Sequence, residues 1–175
     1  SKRKKTFRKN LGGSMMRLAA GCVIVKNNSI LLLHRIDKDW WEVPGGKAEQ
    51  GETLEQTAAR EFKEELGATV EIIRELGKTI FRSVEFELDY TWFLATLKNG
   101  ESIKIGEPKN FDRIEYIPLD DLKKNKLSTN MQNLALGIEN GKVILSVCVM
   151  DDSEGDPRQQ KSPKIQRMIQ EDKAA

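Results

Sequence analysis

The chain has 175 residues, of which 38% are hydrophobic and 32% charged, and a formal net charge of +2. That length and apolar content suit one domain with modest extensions, and no run of about 18 apolar residues is present to cross a bilayer. The two cysteines, Cys22 and Cys148, form neither a disulfide framework nor a usable metal-ligand pair, so both are expected to be reduced, buried and structural in a cytoplasmic protein.

Residues 1–17 carry seven basic side chains and no acid. Such an arm can bind a polyanion such as RNA, but Phe7 is its one aromatic and it runs through Gly12-Gly13-Ser14 into Met15-Met16. A disordered or cloning-derived tail over residues 1–14 is therefore favoured over a nucleic-acid arm. From Leu18 an apolar run, the turn Lys26-Asn27-Asn28 and a second run ending at Arg35 read as a hairpin with a well-buried strand. His34, the only histidine, is expected to be a packed or edge residue of that strand. Residues 40–44 then lead as a short extended piece into Gly45-Gly46.

Residues 46–68 read as a helix loaded with carboxylates. Thr53 and Gln56 make a capping box, Glu55 puts negative charge in the first turn and Gly67 ends the helix. Glu61, Glu64 and Glu65 stand at i, i+3 and i+4, within about 6 Å of their neighbours on one face, and their stripe has no basic partner. A hard divalent cation such as Mg²⁺ would relieve that repulsion. A solvated acidic face is the competing reading of the three glutamates alone. Ala58, Ala59, Phe62 and Leu66 form an apolar arc that can pack on a sheet.

Beyond the helix, residues 69–76, 78–88 and 90–97 have strand character, with Gly77 and Asp89 as punctuation. Asn99-Gly100 marks a turn and Glu107-Pro108-Lys109 a loop. Residues 113–119 predict another strand, and 120–127 and 129–139 two short helices. Residues 143–150 could add a strand. The polar stretch 151–175 holds at most a short amphipathic helix near 165–169. The expected organisation is a tail at 1–14, one α/β domain at 15–150 and a polar extension at 151–175.

Gly46, five residues, Glu52, seven residues and then Arg60-Glu61-Phe62-Lys63-Glu64-Glu65-Leu66-Gly67 resembles the signature of the Nudix hydrolases, the family of MutT-type pyrophosphohydrolases. Seven specified residues match, and a chance match of that length in this chain is about one in a million. Ala68 departs from the pattern, since a larger aliphatic is usual there, but that position packs rather than reacts. The resemblance covers roughly residues 17–140 and implies the Nudix fold, an α/β/α sandwich with a mixed β-sheet.

It also implies Mg²⁺-dependent hydrolysis of a diphosphate linkage, with Mn²⁺ able to substitute. Carried over residue by residue, Glu61, Glu64 and Glu65 match the metal ligands, the Gly45 carbonyl is a candidate ligand, and Glu52 is a weaker ligand or an outer group. Arg60 would orient a glutamate. Glu64 and Glu107 are the candidate catalytic carboxylates, Glu107 from a loop resembling the MutT-like position of an additional glutamate. Arg35 and Lys47 could meet a polyphosphate, with a role as plain surface cations equally open. Asn130 could read a base edge, against a simple role in capping or exposure at the start of the late helix.

A small nucleotide is the expected partner, most specifically a nucleoside triphosphate, with an oxidised purine as one form, cleaved to the monophosphate and pyrophosphate. Deleting residues 1–14 is expected to leave that hydrolysis unchanged. ADP-ribose or dinucleoside polyphosphate hydrolysis and a non-catalytic RNA-binding module are the alternatives. No proline lies between Pro44 and Pro108, where ADP-ribose hydrolases often have one, which weighs against that substrate, and no motif glutamate is lost, which weighs against the non-catalytic module. No membrane partner is indicated, and the oligomeric state is left open.

Overall fold

The computed structural model describes residues 6–9, 12, 13, 15–82 and 87–146. Strands β1 (Phe7–Lys9), β2 (Met15–Lys26), β3 (Ser29–Arg35), β4 (Trp40–Glu42) and β5 (Gly45–Lys47) precede helix α1 (Leu54–Leu66). After it come β6 (Val70–Arg82), β7 (Glu87–Leu97), β8 (Phe111–Pro118), a 3₁₀ turn (Leu119–Lys124) and helix α2 (Thr129–Glu139). Among the described residues no helix is long and apolar enough to cross a membrane.

Asn27 and Asn28 make the β2–β3 turn at φ 48° and 57°, left-handed conformations that asparagine tolerates and that match the twist of a two-residue hairpin. The two strands pair only at Val25–Ile30 and Lys26–Ser29. They then diverge: β2 runs parallel to β7, while β3 takes β4 and β8 as antiparallel neighbours. The sheet is thus mixed, in the order β4-β3-β2-β7-β6, with β1 and β5 also paired to β2 and β8 to β3.

Alternation along the strands feeds two cores. Ala20, Cys22, Ile24, Leu31, Leu33 and Phe93 meet Ala58, Phe62 and Leu66 of α1. Ala19, Val23, Ile30, Leu32 and Trp92 meet Met131 and Leu134 of α2. One helix on each side of a mixed sheet is the expected α/β/α arrangement. Phe62 is fully buried, and that burial stabilises by about 1.5–3 kcal/mol. Ala68 lies in the same core as Phe62, so its departure from the motif concerns packing.

Four expectations are corrected. Gly77 does not interrupt the sheet: β6 passes through it at φ 152°, and register shifts between Ile72 and Arg74 and between Glu75 and Gly77 absorb the irregularity. Asp89 does not punctuate either, being a buried member of β7. The helix expected over 120–127 is a 3₁₀ turn that buries only Leu122.

The fourth correction concerns the basic tail. Residues 7–9 form β1, antiparallel to Met15–Arg17 of β2, and Arg8 reaches Asp89, whose side chain is 5% exposed. The remainder of the tail lies largely outside the described residues. Residues 143–146 form no strand, although Val143 packs in the core beside Gly137. Residues 147–150, the extension 151–175 with its expected helix near 165–169, and Cys148 also lie outside the described residues.

Candidate active site

Helix α1 is pinned at both ends. Thr53 Oγ1 accepts from the Gln56 amide at 3.1 Å, and Gln56 Oε1 accepts from the Thr53 amide at 2.8 Å. Gly67, at φ 67°, closes the other end by donating to the Lys63 carbonyl. The buried face holds Ala58, Phe62 and Leu66 as expected, and Thr57 and Glu65 besides.

The three clustered glutamates therefore differ in environment. Glu65 is buried and accepts from the Gly45 amide at 3.0 Å. Burial holds its carboxyl well above the usual carboxylate range, the charges of Glu42, Glu61 and Glu107 add to that, and the Gly45 hydrogen bond opposes it. Glu61, 16% exposed, is raised by burial against the pull of Arg60. Glu64 is half exposed. The glycine pair lies directly on this cluster: a Cβ on Gly46 would overlap the Glu61 carboxyl group, so any larger residue there must displace that side chain.

The stripe does have a basic partner. Arg60 Nη1 donates to Glu61 at 3.0 Å and to Glu64 at 3.1 Å, while its Nε holds Glu52 at 2.7 Å and its Nη2 the Lys47 carbonyl at 3.1 Å. Both oxygens of Glu52 are engaged, because Oε2 also accepts from Thr57 Oγ1 at 2.9 Å and the Glu49 amide at 3.0 Å. These donors hold the Glu52 carboxyl down at about 2, Arg60 foremost. Of its two expected roles, that saturation favours the outer group over the metal ligand.

Among the described residues no three acidic side chains already converge as a metal cage. The donor set still fits a hard divalent cation. Glu61, Glu64 and Glu65 offer oxygen only, one carboxylate is desolvated, and Arg60 is the cation gripping two of them.

Glu107 arrives on the β7–β8 loop, close enough for its charge to bear on both Glu61 and Glu65. Asn110 Nδ2 donates to Glu107 Oε2 at 2.8 Å, and the Gly106 amide donates to the Glu65 carbonyl at 2.7 Å. A Cβ on Gly106 would overlap the Glu64 carbonyl oxygen, so this glycine seats the loop on α1.

Beside the acidic cluster opens a cleft of about 490 Å³ whose lining includes Arg35, Glu42, Gly45, Lys47, Tyr90 and Asn130. Four residues expected from sequence thus share one cavity. Arg35 is not a plain surface cation: its Nε and Nη2 hold Glu42 at 2.9 and 2.8 Å, and its guanidinium lies 4.7 Å from the Phe111 ring centroid. Asn130 is neither a cap nor exposed. Ser128 caps α2, and Asn130 is buried with its Oδ1 accepting from Trp92 Nε1 at 2.7 Å.

His34 is packed, as expected, between Asp112 at 2.6 Å and Asp39 at 3.1 Å. Sequence reasoning missed Glu42, Gly106 and Tyr90 as members of the site. Glu42, just before the Pro-Gly-Gly run, carried a usable local signal. The other two depend on long-range contacts.

Residues 15–136 match the NUDIX domain family. An 8-oxo-dGTP diphosphatase of Proteus vulgaris is 33% identical over 106 residues, 58% of this chain and 92% of the relative. An oxidized purine nucleoside triphosphate hydrolase of Danio rerio is 40% identical over 86 residues, 47% of this chain and 54% of the relative. The chain spans about half the length of its Bacillus subtilis and Danio rerio relatives, 56% and 54%. Among solved structures, a MutT NUDIX hydrolase from Burkholderia pseudomallei superposes with a TM-score of 0.61 at 27% identity, covering 69% of this chain and 95% of that one.

Proposed function

Since the chain belongs to the NUDIX domain family, we propose that it is a Mg²⁺-dependent hydrolase that cleaves a nucleoside triphosphate to the monophosphate and pyrophosphate, with oxidised purine nucleotides as its preferred substrates. The observation that carries this reading is a cleft that holds a buried, oriented carboxamide at Asn130 and is walled by Gly45, whose amide donates to Glu65 of the acidic cluster. The relatives named for 8-oxo-dGTP and oxidised purine triphosphates support it.

The ligands would be Glu61, Glu64, Glu65 and the Gly45 carbonyl. Mg²⁺ bound there supplies charge neutralisation on the phosphates and a more acidic water. The protein's own part is positioning and proton handling. Arg60, itself fixed by Glu52, sets the orientation of Glu61 and Glu64. Glu64, half exposed, and Glu107, whose charge bears on Glu61 and Glu65 from the β7–β8 loop, are the groups able to accept a proton from the attacking water. Lys47 adds positive charge for the phosphates at the cleft wall, and Arg35 does so while paired with Glu42.

Asn130 Oδ1 is committed to Trp92 and its amide faces Tyr90, which leaves one amide hydrogen to discriminate at a base edge. The test is kcat/KM for oxidised and ordinary purine triphosphates in the parent and in Asn130→Ala. A selective loss for one base at unchanged thermal stability supports the reading. An equal loss for all substrates defeats the base-reading role.

A further inference from the structure

Tyr90 ties the cleft's buried carboxamide to β5, the strand that touches the acidic cluster at Gly45. Gly21 and Gly45 are a cross-strand pair of β2 and β5. A Cβ on either would overlap the Tyr90 hydroxyl oxygen, and one on Gly45 would also crowd the Ala20 carbonyl at 2.6 Å. The two glycines thus leave a notch between adjacent strands, filled by one phenol oxygen reaching over from β7.

A phenol oxygen that is buried needs hydrogen-bond partners, and the Asn130 side chain, which shares the cleft lining with Tyr90, lies close enough to act on its hydroxyl. Asn130 is held on its other atom by Trp92, two residues along β7 from Tyr90. On the far side of the notch, the Gly45 amide donates to Glu65. Phe81 and Trp92 flank the Tyr90 ring at centroid distances of 6.3 and 6.4 Å and restrict its tilt. An unbroken series of contacts therefore runs from Asn130 through the Tyr90 hydroxyl to Gly45 and on to Glu65.

We propose that Tyr90 is a positioning residue whose hydroxyl couples the base-reading Asn130 to β5 at Gly45, so that a correctly seated purine sets that strand against the acidic cluster. The proposal rests on the reading of Asn130 as the base contact and adds to it a route by which base identity reaches the reacting end. Such coupling is a form of induced fit, in which the energy of the right contact is spent on assembling the site. Tyr90 touches neither the phosphates nor the attacking water in this scheme.

The variant is Tyr90→Phe, which keeps the ring and deletes the oxygen. In kinetics, the ratio of kcat/KM between oxidised and ordinary purine triphosphates should fall about tenfold or more, with kcat lowered for the preferred base and KM for the ordinary one little changed. The double variant with Asn130→Ala should lose no more discrimination than Asn130→Ala alone, because the route through Tyr90 begins at Asn130.

A second readout needs no activity. In amide exchange followed by NMR, protection of the Gly45 backbone amide and of the Asn130 side-chain amide should both fall in Tyr90→Phe. The Asn133 side-chain amide, held by Thr79 Oγ1 at 2.9 Å, should keep its rate as an internal control. Asn130→Ala should lower Gly45 protection too. A mere packing role would lower the melting temperature while leaving the base ratio and the Gly45 and Asn130 exchange rates as in the parent, and that result overturns the proposal. A parent that hydrolyses no nucleoside triphosphate sinks the functional reading instead, and the exchange data then decide the coupling alone.

Discussion

Arg60 and Glu52 face each other across seven intervening residues, with Nε 2.7 Å from Oε1 and Nη2 3.1 Å from Oε2. This two-pronged contact fixes the arginine that in turn grips Glu61 and Glu64, so a residue at the start of the signature orders the acids at its end. The Glu52 carboxyl is depressed from 4.5 to about 2. A depressed carboxylate contributes stability that is present above the unfolded value near 4.5 and is lost as pH falls toward 2.

Glu52→Gln should therefore be less stable than the parent at pH 7, by about 1–3 kcal/mol. Denaturant melts at stepped pH should show that gap closing between about pH 4.5 and pH 2. Its kcat should drop by about 10–100-fold through misplaced Arg60, while nucleotide KM changes less. A gap independent of pH would remove the contact from the stability account.

The strand formed by residues 7–9 changes what truncation should do. Arg8 is the ion-pair partner of Asp89, whose other carboxylate oxygen is buried without a hydrogen bond. Deleting residues 1–14 leaves that acid buried and bares one edge of β2, so the truncated protein should lose about 1–4 kcal/mol of stability. Arg8→Ala should account for a large part of that loss, and Asp89→Asn should recover stability in the truncated protein. Identical melting curves for parent and truncation would restore the view of the tail as a passive appendage.

Gly106 seats the loop that carries Glu107. Gly106→Ala should cost about 1–3 kcal/mol through overlap with the Glu64 carbonyl. It should also lower kcat more than it raises KM, since Glu107 is displaced while the cleft stays open. The pH–rate profile of Glu107→Gln separates the roles of that side chain. A profile and kcat equal to the parent's rule out both metal ligation and proton acceptance by Glu107.

Much of the site was legible because it is local. The capping box of Thr53 and Gln56, the Gly67 stop and the i, i+3, i+4 glutamates all lie within one helix, where spacing alone fixes geometry. The strand boundaries were less legible. Gly77 and Asp89 carry local turn signals, but a bulge accommodates one and Arg8, about eighty residues away in sequence, partners the other. Asn130 looked like a cap because Ser128 and Asn130 are both good capping residues and only the tertiary contact with Trp92 separates them. Arg60 was assigned an orienting role from sequence, yet its simultaneous grip on three glutamates required the folded helix and loop together.

We propose Glu61, Glu64 and Glu65 as a divalent-cation site at which a nucleoside triphosphate is hydrolysed. Its most direct test is product analysis on 8-oxo-dGTP with the full chain, in Mg²⁺ and in EDTA, for the parent, Glu64→Gln and Glu65→Gln. Monophosphate and pyrophosphate are expected from the parent in Mg²⁺ and none in EDTA, with turnover reduced by about 10²-fold or more in both variants and circular dichroism unchanged. Undiminished kcat in both variants, or faster cleavage of ADP-ribose than of any nucleoside triphosphate by the parent, would contradict it.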